Sequence, residues 1–351
     1  MQYSTIKHTG KYVPLTGIKE KRGFCQNSFP LFRLTPFYIG ENLFLMGFMS
    51  GFFRLFFSFF LFWAVLESKK APKKIIQTCM PPSQLGNWFF SIAASHGILW
   101  DGFDAVYFSD TGLFHHEEYK KHFFHKIQFQ KRPKSYMKKS IFLDTSLHPH
   151  GYVPIPETDH LVLRGYFQNL NYFDHYKDRL MELFSPLRED MEYIQTKYPW
   201  FFETQDLCCI HFRDNIKENG FKTIFFTPDT EYFEKAMGHF PETTLFVVVS
   251  DSLEVAKQIM PRNKKIVFIE KEPFWIDFNI LRFAKNLIIS NSTFSWWAAY
   301  LNPHQDKIVI RPDFWLDTHE DIVCPKEWIK VYSTPVNGKF ENVKEWLDSK
   351  N

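Results

Sequence analysis

The chain has 351 residues, 45% of them hydrophobic and 23% charged, which is globular composition with material for two domains. A formal net charge of +3 gives no case for a nucleic-acid partner. Five cysteines, at 25, 79, 208, 209 and 324, match no zinc pattern and define no disulfide framework, and the adjacent Cys208 and Cys209 read as buried thiols.

Residues 1–42 form a tail ahead of the run LFLMGFMSGFFRLFFSFFLFWAVL at 43–66, whose one charge is Arg54. As a helix the run would span about 36 Å, enough to cross a bilayer. Arg54 would cost about 2.5 to 3.5 kcal/mol there, which the flanking Phe and Leu residues offset. The run starts too far from the N-terminus, and is too long, for a cleaved signal peptide. The expectation is one transmembrane signal-anchor followed by a short stem at 67–72; an interfacial amphipathic helix and a wrongly assigned upstream exon are the alternatives. Lys and Arg residues flank both ends, so the positive-inside rule gives no orientation.

From residue 73 the pattern alternates strands with helices. KKIIQTCM predicts a strand and LGNWFFSIAASHGILW a turn running into a helix. DAVYF predicts a strand, 115–140 a basic helix and loop, and HLVLRGYF a strand ending in an aromatic loop. YKDRLMELFSPLREDMEYIQTKY predicts a charged helical linker broken near Pro186. After it come five short apolar runs of parallel-strand type: DLCCIHF, TLFVVVSD, KIVFIE, NLIISN and KIVIRP. That order predicts α/β architecture with parallel sheets, divided at 73–195 and 196–351.

Parallel sheets bind ligands beyond the carboxyl ends of their strands. Here those ends read His211-Phe212-Arg213, Ser250-Asp251 and Ser290-Asn291-Ser292-Thr293. The last continues through Phe294 and Ser295 into SWWAAYL, which predicts a strand, a turn and a helix. A helix N-terminus offers unpaired N–H groups and partial positive charge, and hydroxyls add donors. The cluster therefore predicts an anion site suited to phosphate, whereas one N-cap by Ser292 or Thr293 would use a single residue. His211 and Arg213 share one strand face, and Arg213 can grip a diphosphate bidentately. Trp296 and Trp297 read as core. Asn291-Ser292-Thr293 fits a glycosylation sequon, but at a packed corner. The segment HHEEYKKHFFH, 115–125, is rich in metal ligands yet lacks H-E-x-x-H spacing, and reads as a solvated basic helix. With no D-x-D and no phosphate-loop sequence, no metal is expected.

LIISNSTFSWWAAYLNP resembles the signature of the α-1,2-fucosyltransferases, glycosyltransferase family 11. LGNWFFSIAA (85–94), LRGYFQNLNYF (163–173) and CIHFRDN (209–215) resemble three further family segments in the same order. The resemblance covers about 73–335. It implies a GT-B fold of two Rossmann-like domains facing across a cleft. It also implies inverting, metal-independent transfer of fucose from GDP-β-L-fucose to the 2-hydroxyl of a terminal β-galactoside. By position His211 and Arg213 become donor-binding and catalytic candidates, and Asp251 follows the strand expected to hold guanine. Asn291, Ser292, Thr293, Phe294 and Ser295 form the diphosphate corner. Asn87 faces the donor across the cleft, and Tyr166 and Gln168 are acceptor-side candidates. The chain departs from the family at Ser83, Gln84, Trp88, Asp214 and Ile216. Asp214 is the one extra carboxylate beside the site and so a candidate base. Two rival readings are a transferase of another linkage or GDP-sugar, and a silent nucleotide-sugar-binding paralogue anchored in a membrane. For an enzyme acting on glycoprotein or glycolipid glycans, the expected place is the Golgi membrane, single-pass type II, with 1–42 cytosolic and the catalytic part lumenal.

Overall fold

The computed structural model describes residues 73–109, 116–129, 140–146, 150–215, 227–313 and 323–332. The expected span at 43–66 and the departure at Ile216 lie outside them. Among the described residues no helix is long and apolar enough to cross a membrane.

Two parallel sheets carry the fold. The first contains β1 (Ile75–Cys79), β2 (Ala105–Ser109), β3 (Ile141–Asp144) and β4 (His160–Arg164), in the order β2-β1-β4-β3. Helix α1 (Leu85–Trp100) follows β1 and α2 (His116–His122) follows β2. Two short 3-10 turns (Leu170–Tyr172, Asp174–Tyr176) lead into α3 (Lys177–Leu183), α4 (Arg188–Lys197) and α5 (Pro199–Glu203). The break between α3 and α4 contains Pro186, which cannot continue a helix.

The second sheet is built from β5 (Leu207–Phe212), α6 (Thr230–Met237), β6 (Leu245–Ser250), α7 (Leu253–Ile259) and β7 (Ile266–Phe268). It continues through α8 (Phe274–Phe283), β8 (Asn286–Ile288), α9 (Thr293–Tyr300), β9 (Val309–Pro312) and β10 (Ile329–Val331). The strand order is β10-β9-β8-β5-β6-β7, all parallel. The chain grows outward from β5 to β7, then returns across β5 to lay down β8, β9 and β10. This is the doubly wound Rossmann arrangement, and its direction reverses between β5 and β8. A crevice opens at such a reversal. Two of the three strands that end in the polar motifs, β5 and β8, flank it, and the third, β6, lies next to β5.

The period of two sorts β5. Cys209 packs into the core shared with the first sheet, while Cys208, Ile210 and Phe212 face a second core beneath α6. Cys79, Cys208 and Cys209 are free thiols. By the same alternation His211 and Arg213 turn toward the first sheet.

The two sheets share a continuous core. Helix α1 is apolar almost all round, so it is buried almost all round. Phe89 stacks on Trp297 (5.2 Å) and Phe278 (5.4 Å), and Phe90 meets Trp296 at 4.6 Å. Each such aromatic side chain contributes about 1.5–3 kcal/mol by burial. Favourable ring geometry adds about 0.5–1.5 kcal/mol per pair. This cluster ties α1 of the first sheet to α8 and α9 of the second.

Two parts of the sequence reading are corrected. Strands β3 and β10 had no sequence counterpart, because β3 exposes Ile141 and Phe142 at an edge and β10 has three residues. The segment at 115–125 is amphipathic rather than solvated: Tyr119, His122, Phe123 and Phe124 are buried. His122 takes the carboxylate of Asp190 at 2.9 Å and stacks on Trp275, which accounts for a residue that resembled a metal ligand.

The fit of α1 is tight enough to test. A Cβ on Gly97 would stand 2.0 Å from the carbonyl oxygen of Tyr172, a backbone atom. Helix propensity alone would make Gly97→Ala stabilising by about 1 kcal/mol. The contact predicts a net loss of about 1–3 kcal/mol instead, read from urea unfolding. A stabilised variant would contradict this packing.

Candidate functional site

Ser290, just beyond β8, accounts for the local geometry at the crevice. Its hydroxyl donates to the carbonyl of His211 (2.6 Å) and accepts from the backbone N–H of Arg213 (3.2 Å). One fully buried side chain thus locks the end of β5 to the end of β8. Asn215 adds a second tie, donating from Nδ2 to the carbonyl of Asn291 (3.3 Å).

The hydroxyl cluster then divides by role. Ser290 and Ser295 turn inward; Ser295 Oγ donates to the carbonyl of Ser292 (3.3 Å) and is fully buried. Ser295 is therefore corrected from a ligand candidate to a part of the turn. Ser292, Thr293 and Phe294 line a cavity of about 390 Å³. Asn291 is 3% exposed, and its Nδ2 makes no hydrogen bond among the described residues. That burial also closes its sequon to modification. Ser292 occupies the N-cap of α9, yet its hydroxyl makes no capping bond. The simple capping reading fails there, and the first N–H groups of α9 stay without a side-chain cap.

A second helix N-terminus meets this one. Helix α1 begins after Gln84, whose own side chain makes no capping bond, while the Leu85 N–H meets the Tyr119 hydroxyl. Gly86 approaches α9 so closely that a Cβ on it would stand 2.3 Å from Thr293 Oγ1 and 2.6 Å from the Thr293 carbonyl carbon. Only glycine fits, which explains the Gly of the LGN motif. Two helix starts, one from each sheet, border the same cavity. Both bring partial positive charge.

Arg213 reaches across this cavity. Its Nη1 donates to Asp251 Oδ2 (2.6 Å) and its Nη2 to Gln84 Oε1 (3.4 Å). Gln84 replaces a family glycine, so this departure supplies a partner for Arg213. Asp251, a donor-side candidate, lies in the cavity wall and holds Arg213; burial pushes its carboxyl up, against the pull of Arg213. His211 is buried, and burial followed by the Arg213 charge push it down to about 3. It stays neutral at physiological pH and contributes no charge. Its Nδ1 has no hydrogen-bond partner among the described residues, and its ring lies 5.4 Å from that of Phe294.

Several wall residues escaped the sequence reading. Tyr119 comes from α2, with its hydroxyl hydrogen-bonded to the Leu85 backbone. Glu272 and Asp277 come from the start of α8 and the loop before it. Burial works against the Glu272 carboxylate, but bonds from Lys197, Tyr198 and Tyr193 outweigh it and hold its proton affinity low. Asp277 has no such support: burial, then the neighbouring Glu272 charge, push it up to about 8. An acid inside the apolar helix FWIDFNILRF was the available signal. Asp214 is buried with its N–H on Asp251 Oδ1 (3.3 Å), and it does not line the cavity. Asn87 sits one residue beyond Gly86, and its Oδ1 accepts from Gln168 Nε2 (2.8 Å). Tyr166 is half-buried, and neither it nor Gln168 lines the cavity. Among the described residues no group of three or more His, Cys, Asp or Glu is arranged to hold a metal ion.

A family model for glycosyl transferase family 11 matches residues 121–331. An Escherichia coli protein named alpha-1,2-colitosyltransferase is 26% identical over 183 residues, which cover 48% of this chain and 61% of that one. The E. coli O-antigen biosynthesis glycosyltransferase WbnK is 28% identical over 182 residues, covering 48% and 60%. The chain thus spans about three fifths of each relative's length. Among solved structures, Bradyrhizobium NodZ, an α-1,6-fucosyltransferase soaked with GDP-fucose, superposes with a TM-score of 0.42 at 13% identity. That match covers 66% of this chain and 93% of NodZ.

Asp277 gives this site a pH signature. Its folded proton affinity (about 8) lies far above that of an unfolded Asp, about 3.9. Between those values the native state holds a proton that the unfolded state has lost. Stability should therefore fall as pH rises from 4 to 8, by up to about 1.4 kcal/mol per unit. Asp277→Asn should remove that slope and be more stable than the parent at pH 8 but not at pH 4. Parallel pH–stability curves for the two proteins would refute the assignment.

Proposed function

This chain belongs to glycosyl transferase family 11, and from that premise we propose that it moves L-fucose from GDP-β-L-fucose to the 2-hydroxyl of a terminal β-galactoside, inverting the anomeric centre. One observation carries the reading: Arg213 and two helix N-termini converge on a single cavity. Such an edge is matched to a nucleoside diphosphate.

Departure of GDP builds negative charge on the β-phosphate while the anomeric carbon becomes oxocarbenium-like. Arg213, the N–H groups that begin α9 and the Thr293 hydroxyl stand where that charge is to be met. Losing one such donor typically costs about 10²- to 10³-fold in kcat. Arg213 keeps Asp251 as its anchor, and the long contact to Gln84 is the one the diphosphate displaces. With Asp251 so committed, Asp277 is the carboxyl left for the nucleobase. Once ionised it accepts from N1–H and the 2-amino group of guanine, beside the rings of Phe294 and Phe274. Neutral His211 supports the wall rather than the charge. The negative charge is met by protein groups alone, so the reaction is proposed to need no metal and no resident cofactor. The acceptor is a galactose-terminated glycan on a glycoprotein or glycolipid. Residues 43–66 are proposed to hold the chain in the Golgi membrane. The relative named a colitosyltransferase motivates a second reading, in which the donor carries colitose.

The test uses full-length protein in detergent with labelled GDP-fucose, a galactoside glycan array and excess EDTA. Transfer to the 2-hydroxyl of terminal galactose is expected, with loss of turnover exceeding loss of GDP affinity in Arg213→Lys, since Lys cannot reproduce the guanidinium fork. Transfer only from GDP-colitose would favour the second reading. A strict divalent-ion requirement, or GDP binding without transfer from any GDP-sugar, would overturn the proposal.

A further inference from the structure

Helix α2 brings to the cavity a polar group that belongs to neither of the two helix starts. Its buried side carries Tyr119 and, just past its end, Phe123 and Phe124. Phe123 meets Phe278 edge-on (5.0 Å), Phe124 meets Phe89 (4.9 Å), and His122 is held by Asp190. With its neighbours fixed in this way, the Tyr119 ring is wedged between Trp88 of α1 (5.8 Å) and Phe274 at the start of α8 (5.6 Å), edge-on to both. Tyr119 is 8% exposed and lines the cavity.

The hydroxyl at its tip meets the N–H of Leu85, the first residue of α1. A backbone N–H can only donate, so the Tyr119 oxygen accepts there. A hydroxyl has one hydrogen, and this one is therefore turned away from Leu85. Burial pushes the phenol up, against the Leu85 bond and the Arg213 charge, so the hydrogen is kept at physiological pH. Accepting from a helix N-terminus also polarises the O–H and makes it a stronger donor. The hydroxyl thus carries the partial positive charge of α1 one bond further. The place is the anion-accepting corner: Leu85 lies between Gln84, whose Oε1 takes Arg213 Nη2 (3.4 Å), and Gly86, which abuts Thr293.

We propose that Tyr119 is a diphosphate-binding residue: its oxygen held by the Leu85 N–H, it donates its hydrogen to a phosphoryl oxygen of the nucleotide, beside Arg213 and Thr293. This rests on the nucleoside-diphosphate reading above and deepens it. A purely structural role makes the opposite forecast. The hydroxyl would then be only a cap lent to α1 by another helix, and its removal would hand the Leu85 N–H to the nucleotide.

The two roles part in Tyr119→Phe, which keeps the ring contacts and removes only the hydroxyl. Full-length parent and variant are titrated with GDP by calorimetry and with guanosine by ligand-observed NMR, with thermal melting alongside. GDP affinity should fall by about tenfold or more in the variant, the scale of one hydrogen bond to a charged group. Guanosine, which lacks the diphosphate, should bind both proteins alike. A variant that binds GDP as tightly as the parent, or more tightly, leaves the hydroxyl as a cap and overturns the inference, whatever its melting temperature. Equal losses for GDP and guanosine would show that the hydroxyl does not act on the diphosphate, and would overturn it too. If the parent itself does not bind GDP, the nucleotide reading falls first and takes this inference with it.

Discussion

The site depends on one close approach. Helix α1 follows the first strand of one sheet, and α9 follows the strand of the other sheet that lies at its reversal point. Neither helix is capped by its own N-cap side chain, and the two starts come together where Gly86 lies against Thr293. Neither sheet alone would build a strong anion site. Held together by aromatic packing along α1, α8 and α9, they give one rim with two sets of backbone donors. A side chain at Gly86 would push the rim apart by its own volume.

The charges around that rim are arranged by burial as much as by pairing. Arg213 is the cation of the cavity wall, steered by Asp251 on one side and Gln84 on the other. His211 lies too deep to ionise, so it adds no competing charge, and Asp277 holds its proton through neutrality. Glu272 keeps its negative charge because three donors from α4 and the residue that follows it support it. A wall with three carboxyl groups thus carries less negative charge than its composition suggests. That lets it border a site for an anion.

Much of this was legible in the sequence, for definite reasons. Strands β5, β6, β8 and β9 of the second sheet are largely buried on both faces, so their apolar runs stand out. Their polar ends fall at the switch point because parallel topology puts them there. What the pattern could not convey was direction. Ser290, Ser292 and Ser295 look alike in the sequence, yet one staples two strands, one faces the cavity and one closes a turn. Asp277 and Tyr119 were hidden inside segments whose periodicity or charge suggested core and solvent. Nothing in the sequence showed that the Gln84 departure would bring a side-chain carbonyl oxygen to Arg213.

The proposed nucleotide site rests above all on the Gly86–Thr293 approach. The most direct measurement is GDP affinity of full-length Gly86→Ala beside its melting temperature. Alanine improves helix propensity by about 1 kcal/mol, so any weakening reports the contact and not the helix. The account predicts a folded variant whose GDP affinity falls by about tenfold or more, the scale of one lost hydrogen bond to a charged group. A folded variant that binds GDP as tightly as the parent would contradict it.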